Sequence, residues 1–230
     1  MKDKLHKILK FIKWCVIIFF ILSILSVILF RYIPPPITPL MIKRYICKED
    51  KKTERRIEKK WVPLKEISPN LILAVIAAED NNFTKHFGFD FEAIDKALEM
   101  NKRTKRIHGA SSITQQTAKN LFLLPSRTYV RKLFEVYFTF LLEVFWNKKR
   151  IMEVYLNIVE MGNGIYGAEA ASQKYYHKHA SRLTRNEAAM LAVVLPNPLK
   201  RNPVRPNNYM NWYRGRILYL MKMIGAVELN

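Results

Sequence analysis

The stretch AAEDNNFTKHFGFD, residues 77–90, overlaps the end of an apolar run that extends from Leu71 to Ala78. Ser68 precedes the run as a suitable helix cap, and Pro69 stands at the first helical position, where its missing N–H costs nothing. Because the run is apolar nearly all round, it predicts a buried helix rather than a surface helix. The acidic and polar residues of the stretch therefore begin where a buried helix ends.

Glu79 and Asp80 fall at the carboxyl end of this predicted helix. A carboxylate there meets the negative end of the helix dipole and lies beside apolar surface, and both effects favour its protonated form. We therefore expect a raised pKa for Glu79, which suits a group that transfers protons near neutral pH. The alternative is that both residues simply begin a solvated loop.

The composition indicates a basic chain with one principal domain. Its 230 residues carry a formal net charge of +20, which predicts an acidic partner such as nucleic acid, anionic lipid or a phosphorylated substrate. Cys15 and Cys47 are too few for a disulfide framework, and neither CxxC nor HExxH occurs. We interpret His177 and His179 as surface residues and predict no strong metal site.

The N-terminal segment predicts a single membrane anchor. Residues 1–13 form a basic tail with five lysines against Asp3, and residues 14–33 are long and apolar enough to cross a bilayer. The excess of lysine places the tail in the cytoplasm. A cleaved signal peptide is the competing interpretation, but RYIPPP follows the apolar run and offers no small-residue cleavage site. We therefore predict an uncleaved anchor.

Residues 34–60 predict a proline-rich and charged linker. Pro34 to Pro36 and Pro39 favour a stiff extended spacer, and residues 43–60 favour a solvated helical face, with attraction to anionic headgroups as an additional role. The globular domain is expected over residues 61–230. Helical periodicity dominates there and strand signals are few, so we predict a mainly α fold.

A second informative stretch is GASSITQQTAKNLFL, residues 109–123. It follows a predicted helix over residues 89–100, which places Phe91, Ile94, Ala97 and Leu98 on one apolar side, and a basic segment, residues 101–108, that we interpret as a loop. Its hydroxyl, amide and amino groups suit the binding of sugar hydroxyls, amides and phosphates. The apolar segment Leu121–Leu124 is a candidate membrane contact.

Residues 130–146 predict a long helix in which Arg131 and Glu135 lie one turn apart. Its apolar content resembles a second membrane span. Glu135 and Glu143 interrupt it, so we favour a core helix, with lipid contact as an option.

The segment GNGIYG, residues 162–167, formally matches the dinucleotide-binding pattern GxGxxG. No series of βαβ units surrounds it, so we favour a tight turn that opens a helix over residues 168–176. Further along, Thr184 and Glu187 predict a capping box, and residues 208–224 predict a final helix.

Several motifs together resemble one protein family. In order they are EDNNFTKHFG (79–88), GASSITQQTAKN (109–120), RKLFE (131–135) and KRIMEVYLNIVEMGNGIYG (149–167), followed by a helix-and-proline segment over residues 183–203. They resemble the ordered motifs of the peptidoglycan glycosyltransferases, which include the polymerase module of class A penicillin-binding proteins. SxxK and KTG are absent. The chain therefore resembles the anchored members of the family without a transpeptidase module.

This resemblance implies a lysozyme-like, mostly helical domain with a membrane-dipping jaw, and polymerisation of lipid II into glycan strands. Transfer would invert the sugar and release polyprenyl diphosphate. Glu79 matches the general base, Lys119 and Arg131 match the candidates that stabilise the leaving group, and Glu135 would orient Arg131 or tune the site. The remaining matches, with less defined substrate-binding roles, are Asp80, Phe83, His86, Ser112, Gln116 and Glu153.

The resemblance also implies a setting. Ser112 stands where the family usually has threonine, and keeps the hydroxyl. A divalent cation, Mg²⁺ or Mn²⁺, can assist at the pyrophosphate, although no ligand cluster in the sequence requires one. The implied partners are lipid II, the growing glycan strand, membrane lipid and other cell-wall synthesis proteins. The implied location is the cytoplasmic (inner) membrane, with the catalytic domain in the periplasm.

Two other classes of function remain open. A membrane-anchored, lysozyme-like hydrolase or lytic enzyme would also place a carboxylate beside sugar-binding groups, but it has less need of Lys119 and Arg131. A non-enzymatic membrane scaffold or a nucleic-acid binder explains the basic charge but not the clustered polar motifs. A periplasmic domain would rarely meet nucleic acid.

Overall fold

The structure is a computed structural model that describes residues 2–47, 56–103, 109–126 and 128–229. The chain forms two compact units, Met1–Pro34 and Pro35–Asn230. The first unit is helix α1 (Lys2–Tyr32), in which His6–Tyr32 is long and apolar enough to cross a membrane. This helix has the length and composition of a membrane anchor.

The second unit is mainly helical, which confirms the predicted fold class. In chain order its elements are α2 (Pro39–Ile46), β1 (Glu58–Lys59), a 3₁₀ turn (Leu64–Glu66), α3 (Pro69–Glu79), α4 (Phe91–Arg103), α5 (Ile113–Phe122), α6 (Tyr129–Phe145), α7 (Lys148–Ile158), β2 (Glu160–Gly162), β3 (Ile165–Tyr166), α8 (Ala168–Tyr176), a 3₁₀ turn (Ala180–Arg182), α9 (Arg185–Val194) and α10 (Asn208–Ile224). Helix α3 packs against α9 and α10, and α5 packs against α6 and α7. The strands form a small sheet in the order β1-β3-β2, with β3 parallel to β1 and antiparallel to β2.

Local sequence signals account for several of these boundaries. The Ser68 hydroxyl accepts a hydrogen bond from the Asn70 N–H at 3.3 Å, and Pro69 opens α3 as predicted. Thr184 and Glu187 form the predicted capping box of α9. The segment GNGIYG contains the end of β2, a tight turn at Asn163 and Gly164, and β3. The tight turn is confirmed, although β3 separates it from α8.

The predicted linker contains regular structure in the part that the structure describes. Pro39 opens α2 with Thr38 as its cap, so the expectation of an extended spacer is wrong at Pro39. Glu58 and Lys59 pair with β3 rather than forming a helical face. Residues 48–55 lie outside the described residues.

The predicted loop over residues 101–108 is also wrong at its start. Helix α4 continues to Arg103, most of a turn beyond the predicted end. Lys102 and Arg103 lie in its last turn, where their positive charges interact favourably with the negative end of the helix dipole. Residues 104–108 lie outside the described residues.

The exposed apolar surface differs from the one predicted. Leu121 is buried in the core and Leu124 is exposed, so residues 121–124 do not form one patch. Helix α6 buries Phe138 and Leu142 but exposes its opposite side, so it is the predicted core helix rather than an isolated span. The exposed apolar side chains on α6 include Val130, Leu133, Phe134, Val136, Phe140 and Val144.

Helix α4 shows the same difference. Its predicted apolar side buries Ala97, whereas Phe91 and Leu98 are exposed. Spacing identifies an amphipathic helix but not what covers its apolar side.

Candidate active site

Helix α3 delivers Glu79 to the edge of the core, where its side chain remains partly exposed. The Glu79 carboxylate accepts a hydrogen bond from Gln116 Nε2 at 2.7 Å. Burial raises the pKa of Glu79, and the Gln116 hydrogen bond and the positive charges of Lys119 and Arg201 oppose that rise. The direction of this shift is the one expected from the sequence. The raised pKa makes this carboxylate a stronger base than an exposed glutamate.

Gln116, on α5, is held at both ends of its amide group. Its nitrogen donates to Glu79, and its oxygen accepts from the Tyr155 hydroxyl at 3.2 Å. Tyr155 lies on α7 and is fully buried. Because an ionised carboxylate only accepts hydrogen bonds, the amide nitrogen of Gln116 faces Glu79, and the Tyr155 hydroxyl then holds the amide oxygen in place.

Asp80 has a different environment from its neighbour Glu79. It is buried, and its two carboxylate oxygens lie 2.8 and 3.0 Å from His86 Nε2. One of them also accepts the backbone N–H of Ile113 at 3.0 Å. Asp80 thus connects the segment after α3, which contains His86, to the start of α5. This connection positions Glu79 relative to α5.

Ser112 makes a second tie between the same two segments. As the cap of α5 it accepts from the Gln115 N–H, and its hydroxyl donates to the Gly88 carbonyl at 2.6 Å. Gly88 has a φ of +78°, and a Cβ there would lie 2.8 Å from the Thr139 methyl carbon. The Ser112 hydroxyl, which threonine would also supply, therefore connects the start of α5 to the segment that contains Gly88.

Phe83 is fully buried and contributes packing. The Lys148 ammonium lies 4.7 Å from the centre of its ring and 2.7 Å from a Glu143 carboxylate oxygen. The same oxygen accepts from the Thr114 hydroxyl at 2.6 Å. This network connects the α3–α4 segment, α5 and α6.

Lys119 on α5 lies near a cluster of charged residues on α6. Glu135 is buried and pairs with both Arg131 and Lys132. Burial lowers the pKa of Lys119, whereas the nearby Glu135 carboxylate raises it. The Arg131 side chain is 18% exposed and that of Glu135 is 2% exposed, so they do not form an ordinary surface pair. Glu135 holds two cations in place beside Lys119.

Glu153 lies elsewhere. One carboxylate oxygen accepts the Leu64 backbone N–H at 2.9 Å, and the other pairs with Arg150. These contacts connect α7 to the 3₁₀ turn before α3. Glu153 does not line the clefts beside Glu79, and its substrate-binding role stays a prediction.

Two clefts share Glu79 in their lining. One, of about 670 Å³, contains cations, amides and aromatic rings, and the other, of about 430 Å³, is lined mainly by small polar and acidic side chains. Both volumes lie in the range of small-molecule sites. The first is lined with Gln116, Lys119, Pro196, Tyr209 and Trp212, and the second with Asp80, Asn81, Asn82, Asp90, Lys96 and Ser112. Ser111, Tyr213 and Arg216 line both.

Among the described residues, Asp80, His86 and Asp90 form a group whose possible ligand atoms lie within 4.8 Å of one another. Asp80 is engaged with Ile113 and His86. Asp90 accepts from the Ala93 N–H and from Asn82 Nδ2, each at 2.9 Å. These carboxylate oxygens already have protein donors, whereas the Nδ1 atom of His86 is buried and has no hydrogen-bond partner among the described residues.

Several residues of the site had no role assigned from the sequence. Tyr155 lies within the motif over residues 149–167 but was not singled out there, and Tyr213 and Arg216 lie on α10, beyond the motifs. Arg201 was part of the proline segment without an assigned role, yet its charge acts on Glu79. These residues reach the site through tertiary packing.

Comparison with known proteins agrees with the motifs. The family model described as Transglycosylase matches residues 47–223. Proteins named biosynthetic peptidoglycan transglycosylase are similar over most of their length. The one from Bdellovibrio bacteriovorus is 49% identical over 95% of this chain and 87% of its own, and the one from Bacteroides thetaiotaomicron is 47% identical over 96% and 89%. The one from Caulobacter vibrioides is 51% identical over 89% and 86%.

The family model covers well over half of the chain, and these relatives cover nearly all of it. The resemblance read from the motifs is therefore confirmed, and the chain belongs to the transglycosylase family.

Proposed function

We propose that this chain polymerises lipid II into peptidoglycan glycan strands by inverting glycosyl transfer. The observation that carries the proposal is the position of Glu79. It is a partly exposed carboxylate with a raised pKa, and it lies where a polar cleft meets a cleft that contains Lys119. The names of the relatives point to the same activity.

Glu79 serves as the general base in this proposal. Its carboxylate takes the proton from the 4-hydroxyl of the acceptor N-acetylglucosamine as that oxygen forms a bond to C1 of the donor N-acetylmuramic acid. The bond from C1 to the diphosphate oxygen breaks, its electron pair leaves with polyprenyl diphosphate, and the configuration at C1 inverts. Gln116, oriented by Tyr155, keeps the base in place.

Lys119 and Arg131 stabilise the negative charge of the leaving diphosphate. The Glu135 carboxylate keeps the Arg131 guanidinium in place before the substrate arrives. The Nε atom of Arg131 is buried and has no hydrogen-bond partner among the described residues. An unsatisfied buried donor is costly, and a phosphate oxygen of the substrate would satisfy it.

A divalent cation, Mg²⁺ or Mn²⁺, is a further part of the proposal. The residues that lie near the proposed diphosphate are largely cationic, and Glu135 is already paired with Arg131 and Lys132. Phosphate oxygens of the substrate would therefore supply most of the ligands for such an ion. Titration of a chelator into the polymerisation assay, followed by Mg²⁺ or Mn²⁺, tests this part separately.

The proposed location is the outer face of the cytoplasmic membrane. Helix α1 begins with a lysine-rich segment, which favours a cytoplasmic N-terminus and a periplasmic domain. The exposed apolar side of α6 suits contact with lipid. Deleting residues 1–33 should leave a folded but membrane-depleted enzyme, measured by circular dichroism and vesicle sedimentation. Loss of folding on deletion contradicts the division into anchor and domain.

The central experiment is polymerisation of lipid II by the purified full-length chain, with and without detergent. Wild-type protein should form glycan strands, and Glu79→Gln should form them far more slowly. The same protein is also mixed with finished peptidoglycan. Release of soluble fragments without polymer formation would favour the hydrolase and contradict this proposal.

A further inference from the structure

Helix α10 presents a cluster of three aromatic rings that the proposed mechanism does not use. Tyr209, Trp212 and Tyr213 are spaced so that they share one side of the helix. The rings of Tyr209 and Tyr213 have centres 6.0 Å apart and planes inclined by 26°, and those of Trp212 and Tyr213 are 6.3 Å apart and inclined by 24°. We call these three residues the aromatic platform.

The platform is fixed to the core and yet open to solvent. The Arg201 guanidinium lies 5.3 Å from the centre of the Tyr209 ring and also donates to the Val193 carbonyl. The Tyr213 hydroxyl donates to the Ala78 carbonyl, next to Glu79, at 3.4 Å. Nevertheless Trp212 is 60% exposed and Tyr209 is 42% exposed. Large aromatic faces held in place but left uncovered indicate a binding surface.

The position of the platform identifies what it binds. Its three residues line the cleft that also contains Glu79, Gln116 and Lys119. Any group stacked on these rings therefore lies beside the proposed reaction centre.

A pyranose ring has the matching chemistry, because its C–H groups form an apolar face and its hydroxyl and acetamido groups form a polar edge. Aromatic faces suit the first. Polar groups in the same cleft, including Ser111 and Arg216, suit the second.

We propose that the aromatic platform is a saccharide subsite that stacks against an N-acetylhexosamine ring of the glycan chain. This inference rests on the proposed function, because it takes the glycan strand as the ligand of the cleft. The subsite holds a sugar next to the reacting pair and keeps the strand in the cleft between successive transfers. The platform lies on α10, outside the motif-bearing segments, so it extends the site beyond the residues that the motifs supply.

Binding of a soluble sugar tests the subsite without depending on activity. The probe is a fluorescein-labelled tetramer of N-acetylglucosamine, and its anisotropy is measured with the full-length protein in detergent. Trp212→Ala should weaken binding roughly 3–10-fold, the scale of a specific aromatic contact. Trp212→Phe, which keeps a ring, should retain most of the affinity.

Tyr219→Ala is the matched control. Tyr219 lies on the same helix seven residues further along, is 62% exposed, and is outside the lining of both clefts. It should bind the tetramer as wild type does. In the lipid II assay, Trp212→Ala should give shorter strands than wild type, and Tyr219→Ala should not.

The outcomes are distinguishable. If wild type fails to bind the tetramer, or Trp212→Ala binds it as well as Tyr219→Ala does, the subsite is wrong. If Trp212→Ala loses only binding to phospholipid vesicles, the rings are a membrane contact and the subsite is again wrong. If wild type makes no polymer from lipid II but binds the tetramer through Trp212, the subsite stands and the proposed function fails. Should Trp212→Ala unfold, Tyr209→Ala provides the same comparison, because it also removes a ring of the platform.

Discussion

Glu79 and Glu135 both lie near Lys119, but Glu79 is partly exposed and Glu135 is buried, and their surroundings differ. The Glu79 carboxylate ends an apolar helix, accepts one amide hydrogen bond and has a raised pKa. Glu135 is paired with two cations, Arg131 and Lys132. The first carboxylate is free to take a proton, whereas the second is committed to holding positive charge. The comparison shows that the environment, rather than the residue type, assigns these two carboxylates different tasks.

The largest effect should come from replacing the proton acceptor. Glu79→Gln keeps the shape of the side chain but cannot accept a proton, so the initial rate of lipid II polymerisation should fall by roughly 10²–10⁴-fold. Glu135→Gln is the comparison variant. It should lower the rate yet retain the acidic limb of the pH–rate profile, because Glu79 is still present. Near wild-type polymerisation by Glu79→Gln would remove Glu79 as the base.

The next effect concerns the geometry of the cations. Arg131→Lys keeps the charge but loses the planar fork that meets phosphate with two donors, so the rate should fall roughly 10–100-fold, somewhat less than loss of a whole charge-stabilising donor. Lys119→Arg should be tolerated better if Lys119 acts as a point charge. Initial rates at saturating and limiting lipid II measure both variants. An unchanged rate for Arg131→Lys would place Arg131 outside the site.

A smaller effect should appear in the pH dependence. The Gln116 hydrogen bond lowers the pKa of Glu79, so Gln116→Leu should raise that pKa further. A higher pKa leaves less of the base ionised at low pH, and the acidic limb of the pH–rate profile should move to higher pH. Tyr155→Phe, which removes only the hydroxyl that orients the amide, should move it less in the same direction. A shift to lower pH contradicts the assignment.

The smallest effect should be on stability. The pKa of Glu79 is higher in the folded than in the unfolded protein, so Glu79 lowers stability as the pH rises above about 4.3, the usual glutamate pKa, and this cost is absent below that pH. Glu79→Gln should therefore raise the Tm at pH 7, with about 2–4 °C for each 1 kcal/mol. Glu135→Gln should lower it, because Arg131 and Lys132 lose their partner. Thermal scans at pH 7 and pH 4 measure both changes.

The sequence predicted what short-range signals encode. Ser68 and Pro69 marked the start of α3, and the change from apolar to acidic residues marked its end at Glu79. The bounds of α10 followed from its helical spacing. Each of these signals lies within a few residues of the feature that it predicts.

The remaining parts of the site depend on contacts between distant segments. The Tyr213 hydroxyl meets Ala78 across 135 positions of sequence, and the Tyr155 hydroxyl meets Gln116 across 39. No local pattern distinguishes these tyrosines from core aromatics. The exposed Phe91 illustrates the converse, because periodicity predicted an apolar side but not whether another element would cover it.

Gln116 and Lys119 lie only three positions apart on α5, and this spacing limits insertions and deletions in the helix. Both residues stand on α5, which is capped at its start and packed against α6 and α7. Their separation along the axis is about 4.5 Å, fixed by the rise of the helix. A single inserted or deleted residue between them would rotate Lys119 by about 100° away from its present direction. Homologues that keep this chemistry should therefore tolerate many substitutions in α5 but no change in its length between these two positions.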